Sequence, residues 1–439
     1  MPISDHNNAF QWVDDYFAHV RPLFEVREAD SLLIIMPNRA VKLNRTGLKA
    51  LQWLKNGGSI NDILAKLGDR NERRHELFLF LCDFRRLLTG CLGEGHASRA
   101  VEMAPHPRTF NTLPVLSEVA VTYQCNLRCR FCYAACGCHR AEESHPEMTT
   151  AQVLRVLRII RDEAQVPSVS FTGGEPLMRD DLEDLVAGAV RAGLRVNLIT
   201  NATLLAGSDR ARRLRAAGLA SAQVSLEGPT AEVHDGLTGV AGSFDRTLEG
   251  LKALADAGIH VHTNTTVNTA NAPHLRALVR LVAGRGMKRM SMNLVIPTGH
   301  AATLDIQVSY RDVWSIIEPA RDEARACQVE FMWYSPTPAC ILNPLAEGLG
   351  NKSCAACDGL LSVAPDGDVL PCSSYAQPVG NLLKQPFAAV WESGAATFFR
   401  RKDYAPPECS DCGEFTACAG ACPLYWSAMG TAELTGRGG

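Results

Sequence analysis

Strand and helix patterns alternate from Leu116 to about residue 325, and this alternation limits the folds open to the chain more than any other feature. Short apolar runs predict strands near residues 117–123, 167–171, 195–200, 222–227, 260–267 and 290–296. Amphipathic patterns predict helices at 150–164, 181–192, 207–216, 244–257, 272–284 and 309–325. Six such repeats predict a parallel α/β sheet that right-handed crossovers would either curve into an open partial barrel or cover with helices on both faces. Ligand sites in these folds lie at the carboxyl ends of the strands.

The segments on either side of this region have different patterns. Residues 1–95 predict a compact unit with short strands in 23–43, a turn at Pro37–Arg39, and helices at 46–55, 59–66 and 73–89. Residues 96–114 contain Gly, Pro and His without an apolar period and are predicted to be a linker. The α/β region would then occupy 115–335. Residues 336–439 predict a small cysteine-rich domain organised by metal rather than by a large core.

Composition and charge exclude several classes of protein. The 439 residues carry a formal net charge of -3, which gives no electrostatic reason to expect a nucleic-acid partner. No apolar run approaches the ~20 residues of a membrane span, and residues 1–8 lack the features of a signal peptide. We therefore expect a cytoplasmic protein without a membrane partner.

The cysteines form two groups. Of 16 cysteines, 13 lie within residues 125–138 and 340–422, and in a reducing compartment such groups indicate metal or cluster ligation rather than disulfides. Cys125, Cys129 and Cys132 have C-x3-C-x2-C spacing directly after the first predicted strand of the sheet. Three thiolates bound to a [4Fe-4S] cubane leave one iron open for another ligand. A zinc site is the alternative, although zinc usually takes four donors in C-x2-C pairs.

With Phe131 before the third cysteine, this motif resembles the signature of the radical S-adenosylmethionine (SAM) superfamily. The resemblance implies that the open iron binds SAM, whose reductive cleavage gives methionine and a 5′-deoxyadenosyl radical. It also implies a partial (β/α)6 barrel similar to a TIM barrel. No general base is identified from the sequence.

Further SAM contacts are implied at the ends of later strands. The turn formed by Gly173, Gly174, Glu175 and Pro176 resembles the family's GGEP element, which binds the SAM amino group. Asn201 and Ser225 follow or end the next two strands, and the resemblance implies contacts with the SAM ribose or carboxylate. For Asn201, a purely structural role as a strand-end turn residue is the alternative.

The C-terminal cysteines resemble the SPASM domain, which carries two auxiliary [4Fe-4S] clusters. The matching spacings are C-x9-G-x4-C from Cys357 to Cys372 and C-x2-C-x5-C-x3-C from Cys409 to Cys422. The resemblance assigns Cys357, Cys372 and Cys422 to the first auxiliary cluster, with Cys354 or Cys340 as its fourth ligand. It assigns Cys409, Cys412 and Cys418 to the second.

The second auxiliary cluster departs from the family pattern, because residues 423–439 contain no cysteine to complete it. An Asp or Glu, a residue of another domain or an open iron are the alternatives at that position. Cys136 and Cys138 could also contribute, but we expect them to belong to a loop that covers the SAM cluster.

Residues 20–92 resemble the peptide chaperone of the pyrroloquinoline quinone pathway, a winged-helix-like α+β fold known as the RiPP recognition element, where RiPP denotes a ribosomally made, post-translationally modified peptide. The resemblance is carried by residues 41–67, in which Asn44 or Thr46 can cap the first helix and Ser59 the next. It implies that a precursor's leader peptide adds as a strand beside the hairpin. A DNA-binding winged helix is the alternative, disfavoured by Glu25, Glu28 and Asp30 along the wing.

These modules predict a radical SAM enzyme that oxidatively modifies or crosslinks a ribosomally made precursor peptide. Its partners would be the leader of that peptide and an electron donor such as flavodoxin or ferredoxin. Haem-pathway radical SAM enzymes also carry SPASM-type clusters, so tetrapyrrole modification is the second hypothesis. A cysteine-rich redox-sensing regulator that binds DNA is the third.

Overall fold

The computed structural model describes residues 8–36, 39–68, 70–89, 111–134, 146–350 and 353–434. The chain divides into two compact units, Met1–Val115 and Leu116–Gly439. No helix in the described residues has the length and apolar character needed to cross a membrane. Cys136, Cys138 and the centre of the predicted turn at residues 37–38 lie outside the described residues.

The first unit has a helix, a three-stranded antiparallel meander and three more helices. Its elements are α1 (Val13–Val20), β1 (Phe24–Arg27), β2 (Leu32–Ile35), β3 (Arg39–Lys42), α2 (Arg45–Lys55), α3 (Ile60–Leu67) and α4 (Asn71–Thr89). Asn44 caps α2 by accepting a hydrogen bond from the Gly47 N–H, and Ser59 forms a capping box on α3. Phe17 stacks on Phe84 at 5.0 Å between ring centroids, inside the apolar core of the unit. The predicted strands and last three helices are present, whereas α1 was not predicted.

An ion pair lies at the hairpin of this unit. The Arg27 guanidinium donates two hydrogen bonds to the Asp30 carboxylate, at 2.9 and 2.8 Å, and both side chains are buried. Lys55 lies 3.4 Å from the Glu25 carboxylate. Two of the three acidic residues that were expected to repel DNA are therefore already paired, which weakens that part of the sequence argument.

The second unit is built on one ten-stranded sheet, and it confirms the predicted α/β fold. Six strands run parallel, β4 (Leu116–Thr122), β5 (Ser168–Gly173), β6 (Arg195–Thr200), β7 (Ser221–Ser225), β8 (His260–Val267) and β9 (Arg289–Leu294). The helices between and after them are α5 (Thr150–Asp162), α6 (Leu182–Arg191), α7 (Arg210–Ala217), α8 (Ala231–Thr238), α9 (Ser243–Asp256), α10 (Leu275–Gly284) and α11 (Tyr310–Ala326). A seventh parallel strand, β10 (Glu330–Trp333), pairs with β9.

The C-terminal region extends the same sheet at its other edge. Strand β11 (Leu360–Val363) pairs in parallel with β4, and β12 (Asp368–Leu370) and β13 (Gly380–Asn381) follow in antiparallel order. The remaining helices are α12 (Phe387–Trp391), α13 (Gly394–Arg401), α14 (Phe415–Cys418) and α15 (Pro423–Met429).

This region is not organised by cysteines alone, in contrast to the expectation from its sequence. Tyr425 and Trp426 of α15 are buried in the same core cluster as Tyr310 and Trp333 of the α/β region. The ring centroids of Tyr310 and Tyr425 lie 3.8 Å apart. Apolar residues of α15 are thus buried against the α/β region, which their spacing in the sequence did not reveal.

Candidate active site

The three cysteines of the first motif lie in a loop after β4. This cluster loop, defined as Cys125–Cys132, is held by the last turn of α8. The Arg128 N–H donates to the Thr238 carbonyl and the Arg130 N–H to the Leu237 carbonyl, both at 2.9 Å. Gly239 follows with φ +71, and a Cβ there would lie 2.6 Å from the Arg128 carbonyl oxygen. Only glycine therefore permits this close contact between helix end and loop.

The thiols of the cluster loop influence one another electrostatically. Burial raises the pKa of Cys125 to about 11, and the nearby Glu175 and Cys132 contribute in the same direction. Burial also raises the pKa of Cys129 well above its ordinary value, with further contributions from Glu227, Cys132 and Cys125. Because iron binds the thiolate form, uptake of a cluster here releases protons from these thiols.

The number of thiols in the cluster loop bears on the kind of metal site it can form. Within the described part of the chain, no group of three or more His, Cys, Asp or Glu side chains is placed to hold one ion. A zinc site needs donors that converge on one atom, whereas each thiolate of a cubane binds a different iron. Three thiolates in one loop suit a cubane with one open iron better than zinc, which usually takes four donors.

The glycines after β5 lie against the start of the cluster loop. A Cβ at Gly173, which has φ +139, would lie 2.1 Å from the Thr122 carbonyl oxygen, and one at Gly174 would lie 2.3 Å from that of Gln124. The Gly174 and Glu175 N–H groups donate to the same two carbonyls at 2.8 Å. The turn is thus built onto the backbone that leads into Cys125, and Pro176 begins the short 3-10 helix that follows.

Glu175 is fully buried and its carboxylate accepts three hydrogen bonds. The donors are the Thr200 hydroxyl at 2.7 Å, the Asn201 N–H at 2.7 Å and the Leu177 N–H at 3.0 Å. Burial raises the pKa of this carboxyl, and the hydrogen bonds oppose that rise. The carboxylate therefore joins the ends of β5 and β6.

Asn201 is also engaged within the protein. Its side-chain amide donates to the Asn126 side chain at 3.0 Å, and its carbonyl oxygen accepts from the Thr203 hydroxyl at 2.6 Å. Asn126 in turn donates to the Thr203 hydroxyl at 2.8 Å. This network ties the cluster loop to the end of β6. Ser225, at the end of β7, is half-buried and pairs in register with Asn264 of β8.

A second buried carboxylate, Glu227, lies just beyond β7. Burial raises its pKa to about 8, while the Thr266 N–H donates to it at 2.9 Å and lowers the pKa. The Glu227 N–H donates to His234 Nδ1 at 3.1 Å, so the His234 proton lies on Nε2. Burial lowers the pKa of His234 to about 4 and keeps the ring neutral.

The loop after β9 covers the other side of the cluster loop. The His300 N–H donates to the Cys132 carbonyl at 2.9 Å, and a Cβ at Gly299 would lie 2.3 Å from that oxygen. Phe131 packs against the apolar cluster of Val295, Ala301 and Ile306. Phe131 thus anchors the cluster loop to this neighbouring loop.

Four C-terminal cysteines interact with one another. Burial raises the pKa values of Cys357 and Cys422 to about 12 and that of Cys372 well above its ordinary value. The charge of Cys354 raises all three further. Cys354 therefore lies in the same group as Cys357, Cys372 and Cys422.

Two tyrosines lie beside these four thiols. Burial raises the pKa values of Tyr375 and Tyr404, and the charges of Cys354 and Cys422 raise both further. Both phenols therefore remain protonated at neutral pH and can donate hydrogen bonds to sulfur.

Cys409, Cys412 and Cys418 form a separate group. Burial raises the pKa of Cys409 to about 11, and the charges of Cys418 and Cys412 add to this rise. The thiols that influence Cys409 are therefore those of its own set.

A cavity of about 490 Å³ lies between the cluster loop and the C-terminal cysteines. Tyr133 and Thr298 line one part of it, and Ser373, Tyr375 and Ser427 line the rest. The described residues that line it are all uncharged. The Thr298 hydroxyl is buried without a hydrogen-bond partner among the described residues, so it is available to a bound molecule.

Sequence reasoning placed the cysteines and the glycine turn at one end of the sheet, but it missed other parts of the site. Glu227 was visible as a strand-end carboxylate, although nothing in the sequence indicated its burial. Gly299 and Tyr375 approach from distant segments, so their positions could not be derived from local patterns.

Two protein-family models match the chain. The radical SAM superfamily model matches residues 119–282, which include the cluster loop and the glycine turn. The model of the SPASM iron-sulfur cluster-binding domain matches residues 354–413, from Cys354 to just beyond Cys412.

Curated relatives include proteins of two different activities. The chain is 29% identical to an AdoMet-dependent heme synthase of Oleidesulfovibrio alaskensis, and the alignment covers 75% of this chain and 90% of the relative. It is 27% identical to the mycofactocin maturase MftC of Mycobacterium tuberculosis, with 70% of this chain and 78% of the relative covered.

Solved structures share the fold. SuiB of Streptococcus suis bound to the precursor peptide SuiA superposes with a TM-score of 0.67 at 18% identity and covers 92% of this chain and 94% of that chain. The same protein bound to S-adenosylmethionine gives a TM-score of 0.66 at 19% identity, with 92% and 96% covered.

Proposed function

The chain is a radical SAM enzyme with an iron-sulfur cluster-binding SPASM domain, and from this premise we propose that it oxidatively modifies or crosslinks a ribosomally made precursor peptide. Its cofactors are a [4Fe-4S] cluster that binds SAM and auxiliary iron-sulfur clusters in the SPASM domain. When bound and reduced, SAM supplies a 5′-deoxyadenosyl radical that removes a hydrogen atom from an unactivated carbon.

The first unit is the observation that carries the proposal. Strand β3 pairs with β2, and in the described residues it has no second strand neighbour. Strand β1 forms the other edge of this sheet, and there the Lys55 side chain covers part of the backbone, because its Nζ donates to the Phe24 carbonyl at 2.5 Å. An open strand edge is a template for an extended peptide, so β3 (Arg39–Lys42) is the proposed binding edge for the leader.

The extent of the structural likeness supports a role for this unit. The superposition on SuiB covers 92% of this chain, and the first unit makes up about a quarter of it. The shared fold therefore extends into the first unit. SuiB was solved with its precursor peptide, which makes a peptide the substrate class to test first.

The chemistry of the cavity also supports a peptide. Its lining offers hydroxyl, phenol and amide groups such as those of Ser373, Tyr375 and Gln377, and the described residues of the lining are neutral. Uncharged groups suit a peptide segment that presents amides and neutral side chains. Carboxylates of a tetrapyrrole would lose hydration there and find no cationic partner among those described residues. A volume of about 490 Å³ is within the usual range for ligand sites.

The residues of the chain would hold SAM and substrate in fixed positions. We propose that Gly173, Gly174 and Glu175 form the edge that receives the SAM amino group and that Ser225 contacts its ribose or carboxylate. Since the Glu175 carboxylate already accepts three hydrogen bonds, its proposed role is to fix the strand ends around SAM. Asn201 would act in the same way through Asn126 on the cluster loop.

Tetrapyrrole modification is the second candidate function. It is favoured by the curated relatives named AdoMet-dependent heme synthase, which reach 29% identity. The maturase named MftC follows at 27%, so identity alone does not separate the two activities.

Removal of the first unit separates the candidates. A chain lacking residues 1–95 is expected to retain its iron and its SAM cleavage but to lose at least tenfold in the rate of peptide modification. The loss is expected because the proposed leader-binding edge is removed. Peptide modification and porphyrin decarboxylation are measured side by side by mass spectrometry. Porphyrin decarboxylation in both forms, without peptide modification in either, would favour the second candidate.

A further inference from the structure

We propose that Cys340 is the fourth protein ligand of the second auxiliary cluster, together with Cys409, Cys412 and Cys418. Cys340 precedes the residues matched by the SPASM model, which begin at residue 354. Residues 423–439 contain no cysteine. The inference goes beyond the proposed peptide chemistry, because it concerns cluster assembly and not the substrate.

The segment that carries Cys340 lies directly against the second cysteine set. The Ala339 N–H donates a hydrogen bond to Cys418 Sγ, with a nitrogen-to-sulfur distance of 3.3 Å. Consecutive Cα atoms are about 3.8 Å apart, so the Cα atom of Cys340 lies that far from the Cα atom of Ala339. Backbone N–H groups that donate to cluster sulfurs are a common feature of iron-sulfur sites.

Cys340 is also fixed in place. The Ile341 and Leu342 N–H groups donate to the Pro338 carbonyl at 2.9 and 3.0 Å and close a turn around Cys340. Leu342 is 4% exposed and lies in the core cluster that contains Tyr425. The backbone at the half-buried Cys340 is therefore held one residue from the contact between Ala339 and Cys418.

The same segment contains a buried hydroxyl group that lacks a partner. Thr337 is 1% exposed, and its Oγ1 has no hydrogen-bond partner among the described residues. A buried hydroxyl without a partner is unfavourable, because it has lost its hydrogen bonds to water. A cluster beside residues 337–340 would offer sulfur acceptors, so this orphaned group is consistent with a cluster at that place.

The competing assignments for Cys340 and for the fourth ligand are weaker. The first auxiliary set does not need Cys340, because Cys354 interacts with Cys357, Cys372 and Cys422. The carboxylate of Glu408 affects Cys409, but it also accepts a hydrogen bond from the Thr431 hydroxyl at 3.0 Å. Thiolates are the usual protein ligands of these clusters. On binding, the Cys340 thiol would give its proton to solvent and form one sulfur–iron bond, without a change in oxidation state.

The test replaces Cys340 in the full chain and follows the clusters by spectroscopy. Cys340→Ala and Cys340→Ser are purified and reconstituted anaerobically, and iron, sulfide, and electron paramagnetic resonance (EPR) spectra are recorded. We expect iron to fall from about 12 to about 11 per chain in Cys340→Ala, with a [3Fe-4S] signal after mild oxidation. Cys340→Ser is expected to keep the iron but shift the EPR spectrum of one cluster. Cys327→Ser, another half-buried thiol of the same unit, is the control and should match the parent chain.

Two further backgrounds assign the affected cluster. In a Cys409→Ala/Cys412→Ala chain, which lacks the second cluster, Cys340→Ala should cause no additional change. In a Cys357→Ala/Cys372→Ala chain, its effect should persist. Unchanged iron and spectra in both Cys340 variants would overturn the proposal. It would also be overturned if Cys340→Ala changed the iron or the spectra in the Cys409→Ala/Cys412→Ala chain but not in the Cys357→Ala/Cys372→Ala chain. None of these results depends on a peptide substrate, so the proposed function is tested separately.

Discussion

Gly299 lies against the backbone of the cluster loop and has no room for a side chain. Its φ is +56, and an added Cβ would lie 2.3 Å from the Cys132 carbonyl oxygen and 2.4 Å from that of Tyr133. Backbone atoms cannot move aside as flexible side chains do. The next residue, His300, donates its N–H to the same Cys132 carbonyl. Cys132 can therefore keep its position only because Gly299, 167 residues later in the sequence, has no side chain.

Gly299→Ala is therefore expected to displace the cluster loop. The variant should unfold at lower temperature than the parent chain and lose iron from the SAM cluster to a chelator several times faster. Gly286→Ala is the control, since Gly286 also has positive φ but has nothing within 4 Å of an added Cβ. The control should show only the backbone cost of about 1–2 kcal/mol. Equal iron loss from both variants would show that the close contact with Cys132 does not position the loop.

At the scale of residues, the sequence identified chemistry better than it identified contacts. Spacing alone placed Cys125, Cys129 and Cys132 in one loop, and in the structure the charges of these thiols raise one another's pKa values. The SAM contacts of Glu175 and Asn201 stay predictions, and no sequence pattern indicated that both side chains also form hydrogen bonds within the protein. Thr200 is distant in the sequence from its partner Glu175, and Asn126 is distant from its partner Asn201. Only the folded sheet brings each pair together.

Helix α8 is the element that holds the cluster loop, and the sequence pattern did not predict it. This helix has only 8 residues, includes Gly236 and has little amphipathic character. Strand β10 was missed for a similar reason, since four residues at a sheet edge give a weak signal. The long helices and the six main strands agree with the predicted bounds to within a few residues, because each has a clear apolar face.

Asp235 joins α8 to the start of α9. Its carboxylate accepts hydrogen bonds from the Gly242 N–H at 2.6 Å, the Ser243 hydroxyl at 2.7 Å and the Phe244 N–H at 2.8 Å. Asp235→Ala should lower the free energy of unfolding by about 1–3 kcal/mol, because several donors lose their acceptor. It should also speed chelation of the SAM cluster, since α8 supports the cluster loop.

The control for this change is Asp245→Ala, in the exposed first turn of α9. Thermal unfolding and iron release are measured on both reconstituted variants. A stability loss in Asp235→Ala without faster iron release would separate the helix junction from the support of the cluster.

At the scale of the whole molecule, the chain combines two units of different construction. The second unit buries C-terminal aromatic residues such as Tyr425 in the core of the α/β region, and its sheet includes strands from both parts. The sequence predicted the order of the modules, but it could not show that the cysteine-rich part shares this core. The first unit has its own apolar core around Phe17 and Phe84.

The central claim is that radical chemistry acts on a peptide. The reconstituted full chain is incubated anaerobically with SAM, a reductant and, in turn, each short peptide that a neighbouring reading frame encodes, and the mass of the peptide is then measured. We expect a product lighter by two hydrogen atoms, formed together with 5′-deoxyadenosine. An unchanged peptide mass in a reaction that consumes SAM would contradict it.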